Sequence, residues 1–446
     1  MVDGERKLAT RKQSSVRNWV IIRVRSIVAY GMTPTLFSYL FVFALALMLA
    51  LKCWLALRQA RSVAEHREHV PPAFANAVDL PAHRKAADYT RVKLAFGLIE
   101  TIVGALALVA VTLGGGIDVV FDAASDFAHG LWRDVIGAGA IFVLLALIDL
   151  PFAAYRSFVI EARFGFNQMT WKVFAFDSVK GALLGMVLGG IVLTAAIWLM
   201  TSLGPYWWLW AWVAWMGFNL LLLWLFPTYI APLFNKFVPM PDGSLKSRIE
   251  TLLAKTGFKS QGLFVMDGST RSSHGNAYFS GLGNAKRIVL FDTLISRLDE
   301  PEIEAVLAHE LGHFKRRHII KRIAALFALS LLFLWILGRL ANAEWFYIGL
   351  GVTQMSAGSA LTLFALVLPV FTFILHPLTT ITSRKHEYEA DAFAADITGA
   401  RPLITALTKL YKDNAATLTP DKWFSAFYDS HPPAPLRIAR LRSLAP

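Results

Sequence analysis

Cysteine is almost missing from this 446-residue chain: Cys53 is the only one. A disulfide framework within one chain and a cysteine-based metal site are therefore excluded. Charge is scarce too. Asp, Glu, Lys and Arg make up 17% of the residues, where soluble proteins approach about a quarter. Acidic residues are the scarcer kind, 31 against 44 basic, leaving a net charge of +13. The N-terminal region lacks a short basic start followed closely by an apolar core, so no cleavable signal is expected, and the first span is expected to act as the targeting signal. No internal repeat or low-complexity tract is found.

What is abundant is apolar sequence. Hydrophobic residues make up 56%, and the mean hydropathy is +0.50. They come in blocks of roughly 20 residues, long enough to cross a bilayer. The expected fold is an all-α polytopic membrane protein with about seven transmembrane helices, at 35–57, 92–113, 135–155, 182–200, 207–230, 323–341 and 345–375. Trp and Tyr cluster at 205–215 and 345–347, as interfacial aromatic belts do. In this setting the net positive charge reads as basic residues flanking spans and meeting anionic lipid, not as a nucleic-acid surface.

The basic residues alternate between connections. Arg58, Arg61, Arg67, Arg84, Lys85 and Arg91 lie around the first. Arg156, Arg163, Lys172 and Lys180 lie around the third, and the fifth and the tail are also basic. The second has Arg133 alone and the fourth has none. This pattern places connections one, three and five and the tail in the cytoplasm. An odd number of spans then puts the N-terminus outside, against the seven Lys and Arg of residues 1–34. The chain divides into a basic extension at 1–34, five spans with loops at 35–230, a cytoplasmic α+β segment at 231–322, two spans at 323–375 and a helical C-terminal segment at 376–446. Within the α+β segment, Leu245, Ile249, Leu252 and Leu253 mark an amphipathic helix. "GLFVMDGS" and "RIVLFDTL" read as strands, and "NAYFSGLGNAKRIVLF" as a hairpin with a Gly-rich turn.

Chemistry is concentrated in "AHELGHFKRRH". On a helix His309 and His313 are i and i+4, so both imidazoles face one metal ion, and Glu310 can reach a water on that ion. Zinc lowers the pKa of bound water to about 7, within reach of a carboxylate base. The alternative is a helix with two surface histidines. Against it stand Glu300, Glu302 and Glu304 at the N-terminal end, Lys315–Arg317 at the C-terminal end, and the apolar stripe Ile303, Val306, Leu307 and Leu311. A catalytic zinc needs a third protein ligand and an open position. Arg316 and Ile319 stand where a further Gly and His would extend the motif. His318 is off register in a Lys/Arg cluster, which marks it as a membrane-interface residue. Downstream, "SRKHEYEADAFAAD" supplies Glu387 and Asp391 at i and i+4, the first suited to bind zinc and the second to hold the far N–H of a ligand histidine or to handle protons. Glu389 and His386 face elsewhere on that helix.

With "SRKHEYEADAFA", "TRSSHGNAYFSGLGNAKRIVLFDTL", "ARFGFNQMTWKVFAFDSVK" and "HPPAPLRIARL", the motif resembles the CAAX prenyl endopeptidases, integral-membrane zinc metallopeptidases, over most of residues 87–441. The resemblance implies one zinc ion on His309, His313 and Glu387, with Glu310 as general base and Asp391 as the second acidic residue of the site. It implies His431 as an oxyanion donor and Arg437 as a lining residue. It also implies seven helices around a water-filled chamber, with the small α+β zinc-peptidase portion on the cytoplasmic side. Asn276, Ala277, Tyr278 and Phe279 would form an exposed edge strand for an extended substrate, consistent with the general use of strand addition by proteases. The implied partners are the bilayer and a polypeptide, prenylated or otherwise membrane-tethered. The chain's start and compact tail are compatible with a bacterial member in the plasma membrane, acting on other membrane or misfolded proteins.

Two readings compete with a peptidase. A transporter or channel with structural zinc needs mid-membrane charge, and Asp149 and Glu100 are the main candidates. Structural zinc also prefers four closed ligands, often Cys. A scaffold that has lost activity is disfavoured because every motif residue is present as spelled.

Overall fold

The computed structural model describes residues 31–280 and 286–444. Most of the basic extension and the Gly-rich turn of the expected hairpin lie outside the described residues. Among those described, seven helical segments are long and apolar enough to cross a bilayer. Five lie in the N-terminal half: α1 (Pro34–Glu65), α2 (Leu80–Val111), α4 (Leu131–Tyr155), α5 (Trp171–Ser202) and α6 (Trp207–Leu225), with the short α3 (Gly116–Ser125) between α2 and α4. Their starts follow ordinary capping chemistry. Thr33, Asp79 and Thr170 accept hydrogen bonds from the N–H groups of Leu36, Ala82 and Val173, satisfying donors that have no intrahelical partner. Phe43, Leu147, Val187 and Ile191 remain exposed, a surface suited to acyl chains.

The sixth span is α10 (His318–Leu340). The seventh differs from expectation. Trp345 and Tyr347 lie on a separate helix, α11 (Glu344–Ile348), and the span begins only at α12 (Ala357–Thr372). Between them Gly351 takes a left-handed φ of 79°, and a Cβ there would lie 2.7 Å from the Thr112 carbonyl oxygen. Gly349, Gly351, Thr353, Gln354 and Ser356 mark this break in the sequence, inside the stretch expected to be one span. At its other end, α12 passes through one 3-10 turn into α13 (His376–Thr398), a helical run of 42 residues in all.

The peptidase portion follows α6. A four-stranded sheet has the order β1-β2-β4-β3, with β1 (Phe237–Pro239), β2 (Leu263–Met266), β3 (Ala277–Ser280) and β4 (Arg287–Phe291). β2 and β4 are parallel, while β1 on β2 and β3 on β4 are antiparallel. The expected β3–β4 pairing is present, and β3 is an edge. Strand β1 lies in a proline-containing stretch, with Pro232, Pro239 and Pro241 in and around it. Helices α7 (Ser244–Thr256), α8 (Asp292–Ile295) and α9 (Glu300–Lys315) complete this unit. Its core includes Ile249, Leu252, Ile288, Leu290, Ile303 and Leu307. The chain ends in α14 (Ala400–Asp413), α15 (Lys422–Tyr428) and α16 (Ala434–Ser443).

The basic connections gather on this side. Phe74 and Val78 of the first connection pack with Leu418 and Ile438 of the tail. In the third, Gln168 N–H donates to the Arg271 carbonyl, and Arg271 forks onto Asp177. At the far end of the spans the chain is acidic instead. Asp118 accepts from Thr353 N–H at 2.8 Å, and Asp134 from Gly358 N–H at 2.9 Å. A cavity of about 740 Å³ lies between α1, α2 and the C-terminal segment, lined by Lys52, Gln59, Lys93, Leu98, Tyr411 and His431.

Candidate metal centre

Helix α9 is set by its first turn. Asp299 caps the backbone at Glu302, and Glu302 returns the bond to Asp299 N–H at 2.9 Å. This reciprocal pair satisfies two otherwise orphaned donors. Lys409 of α14 closes on both carboxylates, at 2.9 and 2.7 Å. The apolar face of α9 is buried in the peptidase core, which turns the face carrying His309 and His313 toward α13.

There the helix brings Glu387. His309 Nε2 lies 3.2 Å from His313 Nε2 and 3.4 Å from Glu387 Oε2, and His313 Nε2 lies 3.3 Å from Glu387 Oε1. Ligands at roughly 2.0–2.1 Å in a tetrahedron stand about 3.3 Å from one another. The three donors therefore already have the spacing of metal ligands. Glu387 Oε2 is buried without a hydrogen-bond partner, which without an ion would leave a desolvated carboxylate oxygen unpaired. The far side of His309 fixes its tautomer. Its Nδ1 is 2.9 Å from Asp391 Oδ1, so Nδ1–H donates there and Nε2 presents a lone pair to the centre. The donor set fits a divalent cation such as zinc.

The other expected residues fall at graded distances. Arg437 forks onto Asp391 at 2.6 and 2.7 Å, and its Nη2 lies 3.7 Å from Glu387 Oε2. It approaches the centre through Asp391, and its Nη2 also lies 3.2 and 3.3 Å from the two ring nitrogens of His309. His431 Nε2 is 3.4 Å from Glu387 Oε2, and its Nδ1 is 3.0 Å from Ser430 Oγ. Its ring is 59% exposed, onto the cavity. Desolvation by the surrounding walls lowers its pKa, which favours a neutral ring with one N–H to donate. Glu310 is half-buried beside the ligands, and burial raises its carboxyl pKa, toward the range useful for a base at neutral pH.

On β3, Phe291 N–H donates to the Asn276 carbonyl at 3.0 Å, and the register pairs Ala277 with Leu290. Antiparallel alternation then directs the main-chain groups of 276 and 278 toward β4, and those of 277 and 279 to the free edge. The Asn276 side chain accepts from Ala277 N–H at 2.8 Å. His318 differs from expectation: it is buried at 1% exposure, with Nδ1 3.1 Å from His313 Nδ1. The chain reverses at Arg317 between α9 and α10, an event with no mark in residue type.

Two family models match in tandem. The CAAX prenyl protease N-terminal model, of five membrane helices, covers residues 59–236, and the peptidase family M48 model covers 239–445. Among curated relatives, the CAAX prenyl protease 1 homolog of Oryza sativa subsp. japonica is 38% identical over 302 residues, 68% of this chain and 71% of that protein. The Homo sapiens homolog is 32% identical over 442 residues, 88% of this chain and 92% of that protein. The crystal structure of S. mikatae Ste24p aligns with a TM-score of 0.84 at 28% identity, covering 91% of this chain and 98% of that one. Seven span-length helices, a clustered His–His–Glu centre and matches along nearly the whole chain make this a multi-pass membrane metalloprotease, and it belongs to the CAAX prenyl protease type 1 family within peptidase family M48.

Proposed function

We propose that the metal is a single zinc ion held by His309, His313 and Glu387, and that the substrate is a membrane-tethered polypeptide, in the first instance a prenylated one, cleaved on the cytoplasmic side. The observation that carries the metal assignment is the set of 3.2, 3.3 and 3.4 Å separations among the three ligand atoms. Zinc there would supply a Lewis acid for the scissile carbonyl and acidify a water molecule.

The chain's own groups do the rest. Glu310, raised in pKa by burial, accepts the proton of the attacking water and returns it to the leaving amine. His431 donates its Nε2 hydrogen to the oxyanion that develops on the substrate carbonyl. Asp391, held by Arg437, keeps His309 in its ligating tautomer. The free edge of β3 pairs with the extended peptide. A membrane-tethered chain suits the cavity beside His431, because α1 and α2 supply part of its wall. Cytoplasmic orientation rests on the gathering of the Lys- and Arg-rich connections on the peptidase side.

Purified full-length protein tests the reading. Glu310→Gln should retain one zinc per chain and lose cleavage by roughly 10²–10⁴-fold. Peptides with and without a C-terminal isoprenyl group, offered to the wild type, decide the substrate. Preference for the prenylated form supports the proposal. Equal cleavage of both would replace it with general membrane-protein quality control, as expected for a bacterial plasma-membrane enzyme.

A further inference from the structure

Each ligand histidine of a metal centre needs a partner for its second ring nitrogen, because that bond selects the tautomer and holds the ring plane. Asp391 does this for His309. For Nδ1 of His313 no carboxylate is in place among the described residues. What stands there is His318, whose Nδ1 is 3.1 Å from His313 Nδ1.

Two imidazoles facing each other can share only one proton along that line. Which ring owns it decides whether His313 can bind a metal. The far side of His318 supplies the answer. Its Nε2 lies 3.0 Å from Glu389 Oε2. A carboxylate accepts only, so His318 Nε2 carries the hydrogen. In a neutral ring Nδ1 is then bare and accepts from His313 Nδ1–H. His313 Nε2 is left as a lone pair, and it is this atom that lies 3.2 and 3.3 Å from His309 and Glu387.

The backbone is bent to make this contact. On an uninterrupted helix, residues 313 and 318 would lie about 140° apart and could not meet. Helix α9 ends at Lys315, and Arg317 adopts φ 56°, ψ 32°. That left-handed conformation is costly for a residue with a Cβ and tends to persist where the surroundings enforce it. It swings His318 back against His313. There His318 is 1% exposed and stacked on His386, with ring centroids 3.9 Å apart at 13°. His386 and Glu389 are i and i+3 on α13, so one helix face provides both the stacking plane and the acceptor.

We propose that His318, backed by Glu389 and clamped by His386, is a positioning residue for the metal ligand His313, forming a Glu389–His318–His313 hydrogen-bond chain that selects the ligating tautomer. This rests on the reading of His309, His313 and Glu387 as zinc ligands. It assigns a function to the second half of "HELGHFKRRH": the reversal at Arg317 completes the metal centre before the chain enters the membrane as α10. The two ligand histidines are then supported from opposite sides, one by a direct carboxylate and one by a carboxylate acting through a second imidazole.

The test is zinc affinity, measured by chelator competition on full-length protein in detergent, with the absorption spectrum of the cobalt-substituted form as a second readout. His318→Ala should loosen zinc by roughly 10–100-fold and alter the cobalt spectrum. His318→Asn, whose amide oxygen can stand in for Nδ1, should recover most of that affinity. Glu389→Ala, at a half-exposed position where folding is not at stake, should loosen zinc several-fold. Wild-type affinity and spectrum in His318→Ala, beside a wild type that binds one zinc, overturns this inference and leaves the metal assignment standing. Equal losses in His318→Ala and His318→Asn, matched by equal drops in the melting temperature of the apo protein, also overturn it, because they indicate packing alone. A wild type that binds no zinc overturns both.

Discussion

Gly312 of α9 lies directly against Ala390 of α13. A Cβ on Gly312 would be 2.9 Å from the Ala390 α-carbon, 3.1 Å from its carbonyl oxygen and 3.2 Å from Phe393 Cβ. The helix carrying two ligands and the helix carrying the third thus cross without a side chain between them. Alanine is normally better than glycine in a helix by about 1 kcal/mol. Here Gly312→Ala should cost about 1–3 kcal/mol through overpacking, and zinc affinity should fall at least about 10-fold as Glu387 is pushed from the histidines. Gly185 of α5 has open space around it, so Gly185→Ala serves as the control and should leave zinc affinity unchanged. Equal affinities in the two variants, by chelator competition, would contradict the close-crossing argument.

That crossing also explains what could and could not be read from the chain. His309, Glu310 and His313 form a local pattern, and helical geometry alone puts them on one face. Glu387 and Asp391 were legible because zinc needs a third ligand and they are an i, i+4 acidic pair. Gly312 carries a signal only in retrospect, a glycine in mid-helix with no turn to make. His318 carries none, since a left-handed Arg317 looks like any other arginine. The apolar run ends at Leu375 but the helix continues to Thr398, because hydropathy marks lipid and not helix. The sequence therefore separates span from ligand helix where the structure joins the seventh span to the ligand helix through one 3-10 turn.

Arg437 should act on stability as well as activity. It is 5% exposed and forks onto Asp391, which is 1% exposed. Replacing it with methionine leaves a buried carboxylate without its cation, at a cost of roughly 3–5 kcal/mol. Lysine keeps the charge but not the fork, so Arg437→Lys should fall between. Thermal unfolding of the three proteins checks the order. A Met variant as stable as the wild type would show that Asp391 does not need the cation.

Asp421 ties the tail to the first span. It caps α15 through Trp423 and Phe424 N–H at 2.9 and 3.0 Å, and takes both arms of Arg58 at 3.2 and 2.8 Å. Burial works to raise its pKa, but the Arg58 hydrogen bond and the two backbone donors outweigh it and hold the carboxyl below its usual value. A depressed folded pKa contributes stability above the unfolded value of about 3.9, and that stability is lost as pH falls through the folded value. Asp421→Asn should therefore cost roughly 1–2 kcal/mol at pH 7, and the gap to wild type should narrow as the pH falls below about 4. Melting curves across that range test the sign; a gap that widens in acid would refute it.

The free edge of β3 offers the most direct test of how substrate is held. The alternation set by the Phe291–Asn276 bond turns the Phe279 N–H away from β4. Proline is tolerated on an edge strand where the lost N–H faces outward, so Phe279→Pro should keep the strand and bind zinc, at a lower melting temperature because the Phe279 ring packs edge-on against Phe258 with centroids 5.3 Å apart. It removes one donor that an added strand would use, and the ring also blocks close approach there. If peptide pairs along this edge, kcat/KM should fall by about 10-fold or more, since one lost hydrogen bond in a desolvated site is worth about 1–2 kcal/mol. Phe279→Leu, which keeps the N–H and an apolar side chain, should lose far less. A Leu variant as impaired as the Pro variant would locate the effect in the aromatic side chain and remove the main chain of β3 from substrate binding.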